Sequence, residues 1–307
     1  GTGNKDSLKL DLIASAFNLT DSLKLISPKL RVNTSKDQSQ FNLIAESKSA
    51  LSYISFEGKV NTYTDGLSVQ WAPSYFILNE KQWTIQNQGE ISIRKNNTYA
   101  KQFSISQGLQ KIAVQNHPND ANGLQVKLEE VILGDITNVF FSYPKLEGIT
   151  NATINLNKIN DQFSLNINST INQFSFNSTL LGNTTLNAAY DDKTGIVPFD
   201  LNCPNSSYHL AAKGSYAIKD SLNPLDATLT LQESDFGLIQ EFIGGVLTDL
   251  KGKATGAIHF GGRIENPDLR GVATIKDAAF KVDYTKVNYF LPTATLQFTD
   301  EGIDFGT

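Results

Sequence analysis

Only a few residues of the chain are of the types that carry out acid–base or nucleophilic chemistry. Two adjacent carboxylate pairs, Glu129–Glu130 and Asp191–Asp192, have the composition of a general acid and base. We interpret the first pair as a strand end and the second as a solvated turn. Cys203 precedes Pro204 in a turn-like segment, and we interpret it as a free structural thiol. No Gly-x-Ser-x-Gly or phosphate-loop motif accompanies these residues.

The histidines and the cysteine also argue against a metal centre. The single cysteine excludes an intrachain disulfide and a cysteine-ligated zinc site, which needs about four ligands. His117, His209 and His259 are widely separated, and His259 lies between two apolar strand residues, which directs it to the polar face of its strand. The sequence therefore predicts no catalytic residues, no metal site and no cofactor, and we expect a protein that is not an enzyme.

Length and composition restrict the class of protein. The chain has 307 residues, of which 40% are hydrophobic and 19% are charged, and its net charge is -5. An acidic chain lacks the basic face that binds a nucleic-acid backbone, so nucleic acid is not an expected partner. No apolar run approaches the roughly 18 residues of a membrane-spanning helix, and the chain opens Gly1-Thr2-Gly3. We interpret it as a fragment, with any membrane anchor lying outside it.

Period-2 alternation of apolar and polar residues is the dominant pattern, and it indicates half-buried β-strands. Phe163, Leu165 and Ile167, for example, alternate with serine and asparagine. Turn signals such as Asn122–Gly123 and Asn266–Pro267 separate these runs. The predicted fold class is all-β: an elongated, mostly antiparallel curled sheet that forms an open trough, with one or two short helices.

Two segments have helical periodicity instead. The longer one runs from Ser234 to Thr248, with Ser234 or Asp235 as the N-cap and a break at Gly244–Gly245. The shorter one is predicted near Leu133 to Val139. Long helical patterns are otherwise almost absent from the chain.

The chain also contains an internal repeat with a period of about 104 residues. Leu146-Glu-Gly148 recurs as Leu250-Lys-Gly252, and the order of strands, short helix, Leu-x-Gly and strands recurs with it. We divide the chain into an N-terminal β-sheet segment (1–120), a first β repeat (121–224) and a second β repeat (225–307). We expect the two repeats to be continuous in one sheet.

The most specific motif lies in the second repeat. Gly252, Gly256, Gly262, Pro267 and Gly271 follow one another among alternating apolar residues. Glycines at such places mark strand ends, bulges or close approaches of two backbones. We therefore predict a structural role for these five residues.

This ordered motif, together with Leu269 and with Trp83-x-Ile85 further upstream, resembles the C-terminal region of the AsmA-like translocation and assembly module (TamB) family in its Bacteroidetes form. The resemblance covers about residues 75–307. It implies a periplasmic envelope protein held in the inner membrane by a helix outside this chain. It also implies an apolar trough for phospholipid transport between the inner and outer membranes. The partners that it implies are phospholipid acyl chains and an outer-membrane barrel protein.

The functional surface that we expect is the apolar side of this trough. The residues predicted to face acyl chains are the alternating apolar ones Ile154, Leu156, Phe163, Leu165, Ile167, Phe174, Phe176, Leu229, Leu231, Ile258, Phe260, Leu269, Phe280 and Val282. Two other functions remain open. One is a scaffold that assists outer-membrane protein assembly by strand pairing. The other is a carbohydrate-binding or adhesin repeat, which would present Trp71 and Trp83 as exposed platforms.

Overall fold

The computed structural model describes residues 2–4, 7–18, 24–140, 143–159, 161–205, 207–240, 246–299 and 301–304, and for residues 2–4 and 140 it describes the backbone only. The regular structure of these residues is antiparallel β-sheet with one short α-helix and one 3-10 turn. The all-β prediction is therefore confirmed. The chain divides into two compact units, Gly1–Ile167 and Asn168–Thr307. The domain limits inferred from the repeat stay a prediction.

The first unit is a meander in which most strands pair with their neighbours in sequence. Its elements are β1 (Thr2–Asn4), β2 (Ser7–Ile13), β3 (Ala16–Asn18), β4 (Lys24–Ser35), β5 (Gln38–Ser47), β6 (Leu51–Tyr63), β7 (Gly66–Trp71), β8 (Ser74–Leu78), β9 (Lys81–Ile85), β10 (Glu90–Arg94), β11 (Tyr99–Lys101), β12 (Phe103–Gln107), β13 (Gln110–Asn116), β14 (Leu124–Ile132), α1 (Leu133–Phe140) and β15 (Leu146–Asn157). Strand β6 pairs with β8 along its first half and with β7 along its second half.

The second unit begins within β16 and contains longer strands. Its elements are β16 (Ser164–Phe176), β17 (Thr179–Asp191), β18 (Ile196–Pro204), β19 (His209–Ala217), β20 (Leu225–Asp235), the 3-10 turn Phe236–Ile239, β21 (Leu247–Arg263), β22 (Asn266–Val282), β23 (Val287–Thr299) and β24 (Gly302–Asp304). From β17 to β24 every strand pairs antiparallel with the next strand along the chain.

The predicted curl of the sheet into a trough needs correction. Over the described residues of each unit, the sheet is neither closed nor strongly curled. Closing or strongly curling a sheet requires the register to stagger steadily from strand to strand. In the described strand pairs of the second unit, the register shifts only at isolated bulges in β20, β21 and β22. Local alternation of side chains predicts the strands and their faces, but it contains no information about this stagger.

The two helix predictions have different outcomes. The shorter helix is confirmed, because α1 spans Leu133–Phe140. The longer helix is wrong at both ends, since Ser234 and Asp235 belong to β20 and Leu247 and Thr248 begin β21. Residues 241–245 lie outside the described residues. Leu247 is instead paired with Val282 of β22, so cross-strand pairing overrides the local helical pattern. The Asp235 cap is confirmed, because its side chain accepts the N–H of Gly237 at the start of the 3-10 turn.

The segments related by the repeat share an uncommon local geometry. Glu130 in β14 and Glu233 in β20 both have a φ of 51°, and each lies in a bulge that adds one residue to its strand. The backbone N–H of Glu130 donates to Asn151 Oδ1 (3.0 Å), and that of Glu233 donates to Thr255 Oγ1 (3.1 Å). A short helical element follows each bulge. The two bulges therefore have the same form, with a side-chain acceptor on the next strand.

The turn between β13 and β14 is held by a carboxylate. Asp120 Oδ2 accepts the backbone N–H of Lys158 (3.0 Å), and Oδ1 accepts that of Asn122 (2.9 Å). These two hydrogen bonds, that from Lys158 first, hold the pKa of Asp120 below its usual range. The ionised carboxylate consequently links the turn to the end of β15.

The lowered pKa of Asp120 predicts a specific acid sensitivity. Its stabilising contribution is complete above the ordinary aspartate pKa, and it is lost as the pH falls through the lowered pKa of the folded state. Asp120→Asn keeps one carbonyl oxygen but removes the charge, so it should destabilise the protein at neutral pH and less so in acid. Urea unfolding midpoints of both proteins, measured from neutral to acidic pH, test this. A difference between the midpoints that does not change with pH would contradict it.

Two glycines of the sequence motif lie where adjacent backbones leave no room for a side chain. A Cβ atom on Gly256 would lie 2.2 Å from the carbonyl oxygen of Val272, and one on Gly271 would lie 2.2 Å from that of Ala257. Gly271 also has a φ of 134°, which L-residues rarely adopt. The structural role predicted for these positions therefore has a steric cause.

Gly271→Ala should cost about 2–3 kcal/mol of unfolding free energy, because it adds both a steric overlap and backbone strain. The matched control is Gly261→Ala, where the nearest atom to the new Cβ is 3.5 Å away. It should change stability by less than about 0.5 kcal/mol. Urea unfolding measures both, and equal losses would refute the steric explanation.

Candidate functional site: the apolar sheet faces

In the second unit the strand register aligns apolar side chains into rows across the sheet. In strand order from β17 to β23, the central row consists of Leu186, Leu201, Ala212, Leu229, Ile258, Gly271 and Phe298. The neighbouring rows include Leu210, Leu231, Ala273 and Leu296 on one side, and Phe199, Ala227, Phe260 and Leu269 on the other. None of these residues is charged. We call this surface the apolar face of the second unit.

The opposite side of the same strands is polar. One row across it consists of Asp200, Lys213, Thr228, His259 and Arg270. Lys213 Nζ lies 3.8 Å from Asp200 Oδ2, and His259 Nδ1 lies 3.8 Å from Asp226 Oδ1. The prediction that His259 points to the polar side of its strand is therefore confirmed. Such exposed pairs contribute little to stability, but they keep this face in water.

Burial separates the predicted acyl-chain residues into two classes. Five are buried, with at most 8% of their surface exposed: Phe174, Leu231, Ile258, Phe260 and Phe280. The others are half-buried: Ile154, Leu156, Phe163, Leu165, Ile167, Phe176, Leu229, Leu269 and Val282. The buried residues form packed core, whereas the half-buried ones keep surface that a ligand can contact without opening that core.

A bulge in β22 explains why odd-numbered residues are buried in the first part of this strand and even-numbered residues, such as Phe280, in its last part. Ile275 is buried, Lys276 and Asp277 are both exposed, and burial resumes at Ala278 and Phe280. Asp277 has a φ of 51°. This residue interrupts the two-residue alternation, so that the buried residues are odd-numbered before it and even-numbered after it. The same change occurs in β16 at Gln173, whose φ is 52°, between buried Ile171 and buried Phe174.

The first unit also has an apolar row, and it includes predicted residues. Phe103, Val114, Val126 and Ile154 lie opposite one another on β12, β13, β14 and β15. Leu156 lies opposite Leu124 at the end of β15. Beyond this strand, Phe163, Leu165 and Ile167 are half-buried, and the intervening Asn166 is exposed. The predicted residues of the first unit therefore lie along a partly accessible apolar surface.

An aromatic cluster in the first unit is not apparent from the sequence. Trp71 packs against Phe41, Phe56 and Phe103, with ring centroids 5.8, 5.6 and 6.1 Å away. Because these rings come from four strands, only the strand pairing brings them together. Trp83 is 1% exposed, and Trp71 is half-buried. The exposed tryptophan platforms expected of a carbohydrate-binding repeat are therefore not formed by these two residues.

A buried carboxylate lies at the start of α1. Asp135 is 7% exposed, and it accepts hydrogen bonds from Asn79 Nδ2 (2.8 Å), Lys81 Nζ (3.3 Å) and Gln110 Nε2 (3.3 Å). Gln110 in turn accepts the backbone N–H of Ile132 through Oε1 (2.8 Å). The lysine compensates the charge, and the whole group connects α1 to two hairpins. The arrangement is that of a structural polar network.

The two carboxylate pairs have different outcomes: Asp192 lies in an exposed turn, as predicted, whereas Glu129 and Glu130 lie in a bulge within β14, which continues to Ile132, and not at a strand end. Asp191 ends β17, and its Oδ1 accepts the backbone N–H of Lys193 (2.8 Å) in the turn that follows. Glu130 lies in its bulge, and its Oε1 accepts a hydrogen bond from Asn151 Nδ2 (3.0 Å). Both acids therefore shape the local backbone.

Cys203 is a buried free thiol, as predicted, but it lies within β18, where it pairs with Leu210, and not in a turn-like segment. Its Sγ donates to the carbonyl oxygen of Leu181 at 2.9 Å. Within the part of the chain that the structure describes, no group of three or more histidine, cysteine, aspartate or glutamate side chains is placed to hold a metal ion.

Comparison with family models, with curated proteins and with solved structures found no match to this chain. Over the described residues, none of the helices is both long and apolar enough to span a membrane. The site is therefore defined by its own geometry, which is a pair of apolar sheet faces with half-buried aliphatic and aromatic side chains.

The assignment of the two faces predicts that the same polar substitution destabilises the protein much more at one of two adjacent positions than at the other. Ile258→Asn places an unpaired amide at a fully buried position (0% exposed) and should cost about 3 kcal/mol of unfolding free energy. His259→Asn, on the polar side, should cost less than about 0.5 kcal/mol. Thermal and urea unfolding of both variants test the assignment, and similar losses would show that it is wrong.

Proposed function

We propose that the chain is a non-enzymatic module of a cell-envelope protein and that its apolar sheet faces shelter phospholipid acyl chains. The observation that carries this proposal is the central apolar row of the second unit, which crosses seven strands without a charged residue and has a shorter apolar row on each side. Each methylene group moved from water onto such a surface stabilises the bound lipid by up to about 0.8 kcal/mol. A surface of this kind binds acyl chains without distinguishing one from another.

The half-buried residues are the ones that we assign to lipid contact. In the second unit these include Leu229, Leu269 and Val282, and in the first unit Leu165 and Ile167. Buried residues such as Ile258 would support them from behind. An acyl chain would contact these half-buried positions, because the fully buried residues offer it no accessible surface.

The sequence resemblance supports the same proposal and gives it a location. Gly256 and Gly271, two glycines of the motif on which the resemblance rests, lie where two backbones approach closely. A TamB-like module would act in the periplasm, within a protein anchored to the inner membrane through a segment outside this chain. Phospholipids moving between the inner and outer membranes are then the substrate class that we propose.

A second candidate function is a scaffold for outer-membrane protein assembly. Such a scaffold would present a sheet edge to an unfolded barrel protein, which would add a strand by backbone hydrogen bonding. The feature that suits this alternative is the extended antiparallel sheet itself.

Photo-crosslinking separates the two candidates. A diazirine-bearing leucine analogue at Leu165 or Leu229 should capture phospholipid when the chain is incubated with phospholipid vesicles and irradiated. The matched controls place the analogue at the adjacent exposed positions Asn166 and Thr228. Mass spectrometry of the products should show lipid adducts from the first pair at least about tenfold above the second, as expected for about 1.4 kcal/mol of preferential contact.

A charged substitution provides the functional arm of the same test. Leu165→Arg puts an unpaired ion on the apolar surface and should abolish lipid capture by the analogue at Ile167, whereas Asn166→Arg should leave it unchanged. Equal capture at inward and outward positions would refute the lipid proposal. Adducts to an unfolded barrel protein, with no lipid adducts, would favour the scaffold instead.

A further inference from the structure

The first unit has a groove beside β3, the start of β4 and the end of β5. Its volume is about 510 Å³, and it is lined by Ser15, Ala16, Lys24, Ile26 and residues 47–49. A volume of this size is typical of sites that hold small ligands. The lining residues include two lysines, Lys24 and Lys48, and no acidic residue. We call this feature the lysine groove.

The strand register brings the two lysines of the groove together. Leu25 of β4 pairs with Ser47 of β5, and Lys24 and Lys48 come one step further along this antiparallel pair. Like charges at opposing positions of neighbouring strands repel each other. Over the described residues, neither lysine forms an ion pair that would offset this repulsion. An anion bound between the two ammonium groups would remove it.

Serine hydroxyls add neutral hydrogen-bond donors beside the lysines. Ser47 Oγ accepts the backbone N–H of Ser49 (3.2 Å) and lies 2.9 Å from Ser49 Oγ. Ser49 Oγ in turn donates to the carbonyl oxygen of Leu51 (3.2 Å). These contacts hold two hydroxyl oxygens in the wall of the groove. Because a hydroxyl proton can rotate while its oxygen keeps accepting a hydrogen bond, Ser47 is able to donate to an anion between the lysines.

The nearby carboxylates lie outside the lysine groove. Glu46 pairs with Ile26 on one side and with Tyr53 on the other, and it does not line the groove. A second groove lies on the other side of residues 47–49, and its lining includes Glu80. A carboxylate in the wall disfavours a bound anion. The lysine groove is therefore the one of the two that suits a negatively charged ligand.

We propose that the lysine groove binds the phosphate group of a phosphate ester. Lysine binds phosphate as a point charge, and hydrogen bonds from an ammonium group to an anion are stronger than neutral ones. A phosphate ester carries more acceptor oxygens than a carboxylate, which matches two ammonium groups accompanied by serine hydroxyls. Soluble phosphate esters and the headgroups of anionic phospholipids share this group. The groove shares no residue with the positions assigned to acyl chains, so this site does not depend on the proposed function.

Two binding measurements test the proposal: calorimetric titration with glycerol 3-phosphate, and co-sedimentation with phosphatidylcholine vesicles that contain phosphatidic acid. Lys24→Gln/Lys48→Gln should weaken the binding by about tenfold or more, because it removes both charges that face the phosphate. Lys24→Arg/Lys48→Arg keeps the charges and should still bind. The matched control is Lys59→Gln/Lys95→Gln, which removes two exposed charges elsewhere in the unit and should bind like the unaltered chain. Far-ultraviolet circular dichroism checks that all variants are folded.

The two probes also identify the source of the phosphate. Binding of glycerol 3-phosphate that depends on the two lysines would support a site for a soluble ester, and such binding of phosphatidic acid vesicles alone would support a headgroup site. Absence of binding to both probes, equal weakening by the control pair, or equally effective competition by acetate would overturn the proposal. Lipid capture at Leu165 does not involve these lysines, so its outcome separates a failure of this site from a failure of the proposed function.

Discussion

Alternation of side chains along a strand is the constraint on which the rest of this structure depends. One extra residue in a strand moves all following side chains to the other face. Strands β21 and β22 each have 17 residues, which is long for a globular protein. Without correction, a single misplaced residue would expose the apolar positions of half a strand. Bulges with positive φ, as at Asp277, make this correction in the structure.

The sequence predicts the strands and their buried sides well between bulges, and poorly across them. Leu229, Ile258 and Leu269 share a face because uninterrupted alternation connects each of them to its neighbours. The bulges at Glu233 and Asp277 carry no turn signature, because an acidic residue in a strand is ordinary on a wet face. Their positive φ results from pairing with the neighbouring strand, and the local sequence does not show which strand that will be.

Two further features depend on contacts between distant residues and are hidden for the same reason. Leu247 has a helical pattern around it, yet pairing with Val282 places it in a strand. The aromatic cluster around Trp71 draws its rings from four strands. The curl of the sheet belongs to the same category, since it is a sum of small staggers that no local pattern records. By contrast, α1 is predictable because its apolar period and its neighbouring turn lie within one short segment.

The composition of the apolar rows determines where a ligand could bind. Several central positions are occupied by small residues, among them Gly256, Gly271 and Ala273. At Gly256 and Gly271 the backbone of the adjacent strand leaves no room for a larger side chain. Larger half-buried residues such as Leu269 lie at the margin of the packed region. A lipid site on this protein would therefore be a surface contact, and its occupancy would respond to substitutions at the margin more than to those in the core.

The order of the strands also has a consequence for how the protein is made. From β17 to β24, each strand finds its partner in the strand just synthesised. Contacts that are local in sequence form quickly and need little loop closure. This part of the chain can therefore fold progressively while it emerges from a ribosome or a translocation pore, without waiting for its C-terminus. The same order allows a gene to gain or lose one hairpin while the pairing of the others is preserved.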